Sequence, residues 1–132
     1  MAKTQEVAGG LTLDASALIA VERLDRDVLA LLRLARANGL AVTVSAGVLA
    51  QVWRDGQRQV RLARLLASAN VEVEPLDERR TRQAGQLCGA CGTSDVVDAS
   101  VVLCARERRQ RILTSDVDDL RRLDPAAVLV RV

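Results

Sequence analysis

Short apolar runs recur along the chain and predict five β-strands. They cover residues 10–14, 40–44, 71–73, 112–114 and 127–132. The first of these runs ends on an acidic residue, Asp14. Short, continuous apolar runs of up to about eight residues are typical of strands that are buried on both faces of a parallel sheet.

Between these runs, apolar residues recur at three- and four-residue spacing, which predicts helices. The predicted helices cover residues 15–23, 27–38, 46–54, 58–69, 77–88, 95–109 and 118–123. Asn38 and Gly39 form a typical helix C-terminus, and Ser45 is a good N-cap for the helix that follows it. Cys88 and Cys91 form a CxxC that ends a helix, without the further ligands that a zinc site needs.

Strands alternate with helices, which predicts an α/β fold: a three-layer α/β/α sandwich with a mainly parallel central sheet. A length of 132 residues suits a single domain over residues 10–132, preceded by a flexible polar tail over residues 1–9. No apolar run reaches the length of about 20 residues that crosses a bilayer. The N-terminus also lacks the apolar segment of a secretory signal, so we expect a cytoplasmic protein with no membrane partner.

Composition removes most catalytic chemistry. The chain has no His, Tyr or Phe and a single Trp, which excludes Ser–His–Asp, Cys–His and His-based zinc catalysis. Three cysteines, an odd number, indicate a reducing cytosol and no disulfide framework. The net charge of +2 is smaller than that of a strong non-specific nucleic-acid binder. Carboxylates, hydroxyls, thiols and arginines remain for catalysis.

Four aspartates form a candidate site. Asp14 ends the first strand and Asp116 follows the fourth, while Asp95 and Asp98 share a face in the first turn of the 95–109 helix. Ligands of α/β sheets bind at the carboxyl ends of strands, where the strand order reverses, and this places the acids together. Carboxylates crowded in this way need a cation, and Mg²⁺ or Mn²⁺ prefers such oxygen ligands. A cation held there activates a water and polarises a phosphodiester.

Each of these acids also has a structural interpretation. Asp95 and Asp98 can complement the positive end of their helix dipole, and Asp116 can cap the helix that follows it. For Asp95, capping is at least as good an explanation as metal binding. For Asp14 we expect capping to matter less, because the acid follows an apolar strand.

Two segments resemble a known family. LTLDASALIA (11–20) and DVVDASVVLCARERRQRILTSDVDDL (95–120) are similar to the PIN-domain nucleases, specifically to the VapC toxins of bacterial toxin–antitoxin pairs. The resemblance extends over residues 11–132. It implies a PIN-like fold and a Mg²⁺- or Mn²⁺-dependent endoribonuclease that cleaves cellular RNA by a metal-activated water. It also implies a cognate VapB-type antitoxin as partner and a homodimer.

The resemblance assigns roles by position. Asp14 matches the first metal-binding aspartate, Asp98 the aspartate of the family's D-A helix motif, and Asp116 the acid of its T-x-D motif. Asp95 is an expected additional ligand. Ser16 and Thr114 match the small hydroxyl residues that support these acids.

One position departs from the family pattern. The family commonly has a glutamate in the helix after the second strand, and VLAQVW puts Gln51 there, which keeps an acceptor oxygen but loses the charge. In one interpretation, Asp95 supplies the missing charge and Gln51 holds a water or an RNA group. In the other, metal affinity is weakened and the protein is an inactive or weak PIN-fold binding module that acts through an antitoxin or through self-association.

Arginines provide a candidate contact surface. Arg54, Arg58 and Arg61 are spaced at i, i+4 and i+7, which predicts a basic stripe on adjoining helices. Such a stripe would contact RNA phosphates or acidic residues of an antitoxin. The alternative is a solvated outer face.

Overall fold

A five-stranded sheet forms the centre of the protein in a computed structural model that describes residues 9–132. The strands are β1 (Leu11–Leu13), β2 (Val42–Ser45), β3 (Val71–Glu74), β4 (Arg111–Thr114) and β5 (Leu129–Arg131). All neighbouring strands are parallel, in the order β3-β2-β1-β4-β5. The predicted parallel sheet is confirmed, whereas the predicted tail lies outside the described residues except for Gly9.

Helices connect the strands at every position where the periodicity predicts one. They are α1 (Ala15–Glu22), α2 (Arg26–Ala37), α3 (Ala46–Val52), α4 (Val60–Leu66), α5 (Glu78–Cys91), α6 (Val96–Arg108) and α7 (Val117–Leu123). The chain passes from β1 outward to β2 and β3, then crosses back over the sheet to β4 and β5. The strand order therefore reverses between β1 and β4, which are direct neighbours.

The crossovers place helices on both faces of the sheet. Parallel crossovers are right-handed, so connections that run in opposite directions across a sheet lie on opposite faces. The packing agrees, because α1 contacts α2 and α4, while α6 contacts α5 and α7 and lies against β1, β2 and β4. This arrangement is the predicted three-layer α/β/α sandwich.

The core lies on both sides of the central strands. Leu13, Val44 and Leu113 are fully buried within the sheet, and Leu18 from α1 and Val101 from α6 are fully buried beside it. Helix α6 is buried on most of its circumference, because it lies between the sheet and two other helices. Its first turn is therefore held firmly at the carboxyl edge of the sheet.

Capping side chains start most of these helices. Asp25 and Asp77 accept hydrogen bonds from backbone amides of α2 and α5, and Ser45 caps α3 as predicted. Helix α2 ends at the predicted Asn38–Gly39 pair, where Gly39 has a positive φ of 67°.

The end of α3 differs from the prediction. The periodicity predicts a helix to residue 54, but the helix ends at Val52 because Trp53 is extended. The Gln59 side chain stabilises the turn that follows, since its Oε1 accepts from the amides of Arg54 and Asp55 at 2.7 and 3.0 Å. Its Nε2 also donates to Glu22 of α1 at 2.8 Å. The bond to Glu22 joins residues 37 positions apart, so local periodicity does not predict it.

A buried ion-pair cluster closes the β3 edge of the sheet. Glu74 and Arg80 are each only 7% exposed, and Arg80 Nε donates to Glu74 Oε1 at 2.6 Å. Arg80 also pairs with Glu107 at 2.6 Å, and Arg108 pairs with the second oxygen of Glu74. The cluster joins the end of β3 to the start of α5 and the end of α6.

Within residues 9–132, no single helix is long and apolar enough to cross a bilayer. Helices α5 and α6 reach that length and composition only as a pair, and they are bent by 108° relative to each other.

Candidate active site

Asp14 lies at the point where the strand order reverses, and all of its carboxylate is engaged. Its Oδ1 accepts from Ser16 Oγ at 2.6 Å and from the Ala17 amide at 3.0 Å, while its Oδ2 accepts from Thr114 Oγ1 at 2.5 Å. The residue is 3% exposed and is the N-cap of α1. The expectation that capping matters little for Asp14 is therefore wrong, because β1 leads directly into α1 and leaves this side chain beside the first helical amides.

Ser16 and Thr114 link Asp14 to the loop that follows β4. Thr114 Oγ1 accepts from the Asp116 amide at 2.8 Å, and Ser16 Oγ accepts from the Ser115 amide at 2.8 Å. Each hydroxyl thus donates to Asp14 and accepts from the β4 loop. The supporting positions implied by the family resemblance do lie against the carboxylate, and they fix the orientation of both strand ends.

Asp95 and Asp98 lie together at the start of α6. Asp95 is the N-cap, and its Oδ1 accepts from the Asp98 amide at 3.0 Å, so the capping interpretation holds for this residue. Burial raises the pKa of the Asp98 carboxyl to about 7, with the negative charge of Asp95 as the next cause. Asp14 and Asp116 also raise this pKa, which shows that the carboxylates from both strand ends act on Asp98.

Asp116 occupies the N-cap position of α7, but its side chain makes no capping hydrogen bond. The capping interpretation is wrong for this residue, because its carboxylate makes no hydrogen bond to the helical amides. Burial raises the pKa of Asp116, and Asp14, Asp119 and Asp95 raise it further. The Asp116 carboxylate thus lies among like charges, and no hydrogen-bond donor within residues 9–132 stabilises it.

The four aspartates have the chemistry of a cation site. Several carboxylates that raise each other's pKa are stabilised when a divalent ion neutralises them, and oxygen donors suit Mg²⁺ or Mn²⁺. Within the described part of the chain, however, no three His, Cys, Asp or Glu side chains stand in an arrangement that already encloses an ion. The donor set fits such a cation in chemistry, and the carboxylates of Asp95 and Asp116 are both exposed.

Gln51 stands apart from these acids. It lies on the exposed side of α3, and its side chain makes no hydrogen bond to any of the four aspartates or to other residues of the 9–132 range. The helix itself is close to the site, since Gly47, one turn earlier, lies against the Val97 side chain of α6.

The predicted arginine stripe is not continuous. Helical spacing does not apply across residues 53–59, where the chain leaves α3 and turns before α4. Arg54 donates to the carbonyls of Ala50 and Trp53, and Arg58 is exposed and pairs with Asp55 at 3.7 Å. Arg61, on α4, donates to the Glu22 carbonyl at 3.3 Å.

A groove that the sequence pattern does not predict lies between α1, α2 and α4. Its volume is about 320 Å³, and its floor is apolar, with contributions from Leu32 and Leu65. Four arginines line it: Arg33, Arg36, Arg61 and Arg64. The polar face of the 27–38 helix contains the first two, but only the packing of α2 and α4 against α1 brings all four together.

The cysteines lie outside the acidic cluster and are not activated. Burial raises the pKa of Cys88, and burial raises the pKa of Cys104 to about 12. Thiolates, the reactive form, are therefore disfavoured at both positions. Helix α5 ends at Cys91 with Gly92 in the left-handed region, which agrees with the predicted role of the CxxC as a helix end.

The protein is a parallel α/β sandwich with carboxylates at the carboxyl edge of its sheet, where the strand order reverses. This combination of fold and acidic site defines its class. Within that class, the PIN domain family model matches residues 11–125, and the chain belongs to the PIN domain family. No curated protein sequence matches the chain significantly.

Solved structures with similar folds include toxin–antitoxin proteins. VapBC2 from Rickettsia felis, bound to a DNA fragment from its promoter, is 18% identical with a TM-score of 0.70, over 92% of this chain and 98% of that chain. FitAB bound to the IR36 DNA fragment is 17% identical with a TM-score of 0.62, over 92% and 94%. VapC20 from Mycobacterium tuberculosis, a toxin that cleaves the sarcin–ricin loop, is 22% identical with a TM-score of 0.58, over 77% and 85%. At these identities the likeness establishes the fold.

Proposed function

We propose that this PIN-domain protein is a metal-dependent endoribonuclease that acts as the toxin of a toxin–antitoxin pair. The observation that carries the proposal is the buried Asp14 carboxylate, which Ser16 and Thr114 hold at the carboxyl edge of the sheet where the strand order reverses. In addition, burial and the charges of three other aspartates raise the pKa of Asp98 to about 7. Such an environment is typical of functional sites, and a divalent cation relieves it. The similar fold of VapC20, a toxin that cleaves the sarcin–ricin loop, supports RNA as the substrate.

In this proposal, Asp14, Asp98, Asp116 and Asp95 hold Mg²⁺ or Mn²⁺. When bound, the cation supplies Lewis acidity toward the phosphodiester and makes a water nucleophilic near neutral pH. Ser16 and Thr114 keep the Asp14 carboxylate fixed between β1 and β4, so its orientation does not have to be established during the reaction. Because the pKa of Asp98 is raised, a cation held there would compete with a proton for this carboxylate, and its binding would depend on pH.

The nuclease proposal is tested with purified protein and a structured RNA in the presence of Mg²⁺ or Mn²⁺. We expect cleavage by the wild type, no cleavage in EDTA, and loss of cleavage in Asp14→Asn and Asp98→Asn. Asp27→Asn, which changes an exposed aspartate on α2, is the matched control and should cleave normally. Equal behaviour of the wild type and both site variants with every metal would refute the proposal.

A second candidate function is a binding module with a disabled nuclease. It is favoured by the neutral, exposed Gln51 and by the lack of an enclosed ion-binding arrangement within residues 9–132. Gln51→Glu separates the two candidates. If this variant cuts RNA and the wild type does not, the binding module is correct; if both cut equally, the charge at position 51 is not required.

For the antitoxin, we propose docking in the groove lined by Arg33, Arg36, Arg61 and Arg64. An apolar floor with an arginine rim is complementary to an amphipathic segment that carries acidic residues beside its apolar face. In this proposal Arg61 contacts the antitoxin. Arg54 and Arg58 are proposed to contact either RNA phosphates or the antitoxin. Charge reversal at Arg33 and Arg64 should abolish copurification with a coexpressed VapB-type antitoxin and leave RNA cleavage intact.

We also propose that the protein forms a homodimer, that it is cytoplasmic, and that residues 10–132 form a single domain. A second copy would cover the exposed apolar patch formed by Leu49, Trp53 and Leu66. Sedimentation equilibrium of the wild type and of Trp53→Asp tests the dimer. A monomeric wild type, or a variant that dimerises equally well, would refute this interface.

A further inference from the structure

Two hollows border the aspartates from opposite faces of the sheet. The α1 hollow has a volume of about 360 Å³ and is lined by Ser16, Ile19, Ala20, Arg23, Asp25, Ser115 and Val132. The α7 hollow has a volume of about 130 Å³ and is lined by Thr93, Asp95, Asp98, Asp119, Arg122 and Leu123. Helix α1 lies on one face of the sheet and α6 and α7 on the other, so the two hollows lie on opposite faces, and Asp95 and Asp98 belong to the wall of the second.

The α1 hollow is directly continuous with the acidic cluster. Ser16, which lines it, donates to Asp14 and accepts from the Ser115 amide. Ser115, also in its wall, lies between Thr114 and Asp116 in the chain. Ile19 is 39% exposed and gives the hollow an apolar wall beside these polar groups. The combination of an apolar wall with hydroxyls suits a nucleoside.

The α7 hollow is smaller and more polar. It contains Asp95 and Asp98 of the cluster, a third carboxylate from Asp119, and one arginine, Arg122. A space of this size is too small for a base, and it admits a phosphate group when Arg122 and a cation on the aspartates offset these carboxylates.

Each hollow has one arginine, and both arginines are exposed. Within residues 9–132, neither the Arg23 nor the Arg122 guanidinium is engaged in an ion pair or a hydrogen bond. Arg80 and Arg108, in contrast, are both held by carboxylates. The planar guanidinium forms paired hydrogen bonds with phosphate oxygens.

We propose that the two hollows are subsites for the nucleotides on either side of the scissile phosphate of single-stranded RNA, with Arg23 and Arg122 each contacting one flanking phosphate. The inference rests on the proposed nuclease function and deepens it. The four aspartates repel a polyanion, so RNA affinity has to come from cations that lie beside the cluster. Arg23 and Arg122 lie in the hollows on its two sides, and a strand that contacts both would pass across the aspartates.

RNA binding tests the subsites separately from cleavage. The probe is a fluorescein-labelled single-stranded RNA, titrated with protein in Ca²⁺, with a gel to establish that the RNA stays intact. Arg23→Gln and Arg122→Gln should each weaken binding roughly threefold to tenfold and lower the slope of log affinity against log salt by about 0.7. Arg82→Gln is the matched control, because Arg82 is an exposed arginine paired with Glu78 on α5. It should bind as the wild type does.

A second arm assigns each arginine to its phosphate. A neutral methylphosphonate replaces either the phosphate on the 5′ side of the cleavage site or the one on its 3′ side. If the RNA is not cleaved, each phosphate of the RNA is replaced in turn. Arg23→Gln should have no further effect with one of these RNAs, and Arg122→Gln none with another. This pairing also gives the direction of the strand across the site.

The outcomes distinguish the subsites from the nuclease function. If both variants bind RNA and depend on salt as Arg82→Gln does, or if the wild type binds no RNA, the subsites are refuted. If binding depends on Arg23 and Arg122 but no RNA is cut with Mg²⁺ or Mn²⁺, the subsites hold and the nuclease proposal fails. Thermal melting of each variant establishes that it is folded, and an exposed arginine is not expected to be needed for folding.

Discussion

Replacement of Asp98 by Asn should make the metal-free protein more stable at alkaline pH. Burial and neighbouring aspartates raise the pKa of Asp98 from 3.8 to about 7, so the folded state holds a proton that the unfolded state has released. Stability therefore falls as pH rises from about 4 to about 7 and levels off above that value. Asp98→Asn removes the titrating group and with it this part of the pH dependence.

The magnitude follows from the size of the shift. About three pKa units correspond to about 4 kcal/mol for a fully buried group. Because Asp98 is only partly buried, solvent screening lowers the expected effect to about 2 kcal/mol. At pH 8 in EDTA, Asp98→Asn should thus be about 2 kcal/mol more stable than the wild type, with a difference that shrinks toward pH 4.

Urea unfolding followed by circular dichroism measures this difference between pH 4 and pH 8.5. Asp27→Asn is the control, and its stability should change with pH in parallel with the wild type. Saturating Mg²⁺ at about 100 times its Kd should stabilise the wild type by about 2.7 kcal/mol and stabilise Asp98→Asn less. A wild type whose stability is flat between pH 4 and pH 8, or rises in parallel with that of the variant, would show that folding does not raise the pKa of Asp98.

Other positions give sharper tests of single contacts. Thr114→Val removes the donor to the buried Asp14 carboxylate and should cost about 2 kcal/mol in urea unfolding and most of the RNA cleavage. Thr43→Val is its matched control, since Thr43 is fully buried and its hydroxyl has no partner within residues 9–132; this variant should unfold at the same or a slightly higher urea concentration. Glu74→Gln leaves Arg80 and Arg108 without their shared carboxylate and should cost about 3 kcal/mol, and an unchanged midpoint would contradict a stabilising role of the cluster.

The sequence predicts the elements well because their periodicity is local, and predicts their ends less well. Helix α3 ends two residues early because of Gln59, whose hydrogen bond to Glu22 joins distant parts of the chain. The last strand is shorter than the apolar run 127–132, since only Leu129–Arg131 pairs with β4.

The positions of the four aspartates in the fold could be predicted, because each of them follows a strand or opens a helix, where backbone geometry fixes its position. The double role of Asp14 could not be predicted, because it depends on Thr114, which is adjacent only after β1 and β4 pair. The two hollows likewise require packing: Arg23 and Arg122 share no motif and are 99 positions apart in the sequence.

The hydrogen bond between Thr114 and Asp14 spans 100 residues of chain, and this has a consequence for synthesis. Asp14 is translated 100 residues before Thr114, so its second oxygen has no partner until β4 has been made and has inserted beside β1. Contacts of such long range form late, since the intervening loop has to close first. Nascent chains and truncated products that end before β4 therefore lack the fixed carboxylate, and the site forms only after β4 has been synthesised.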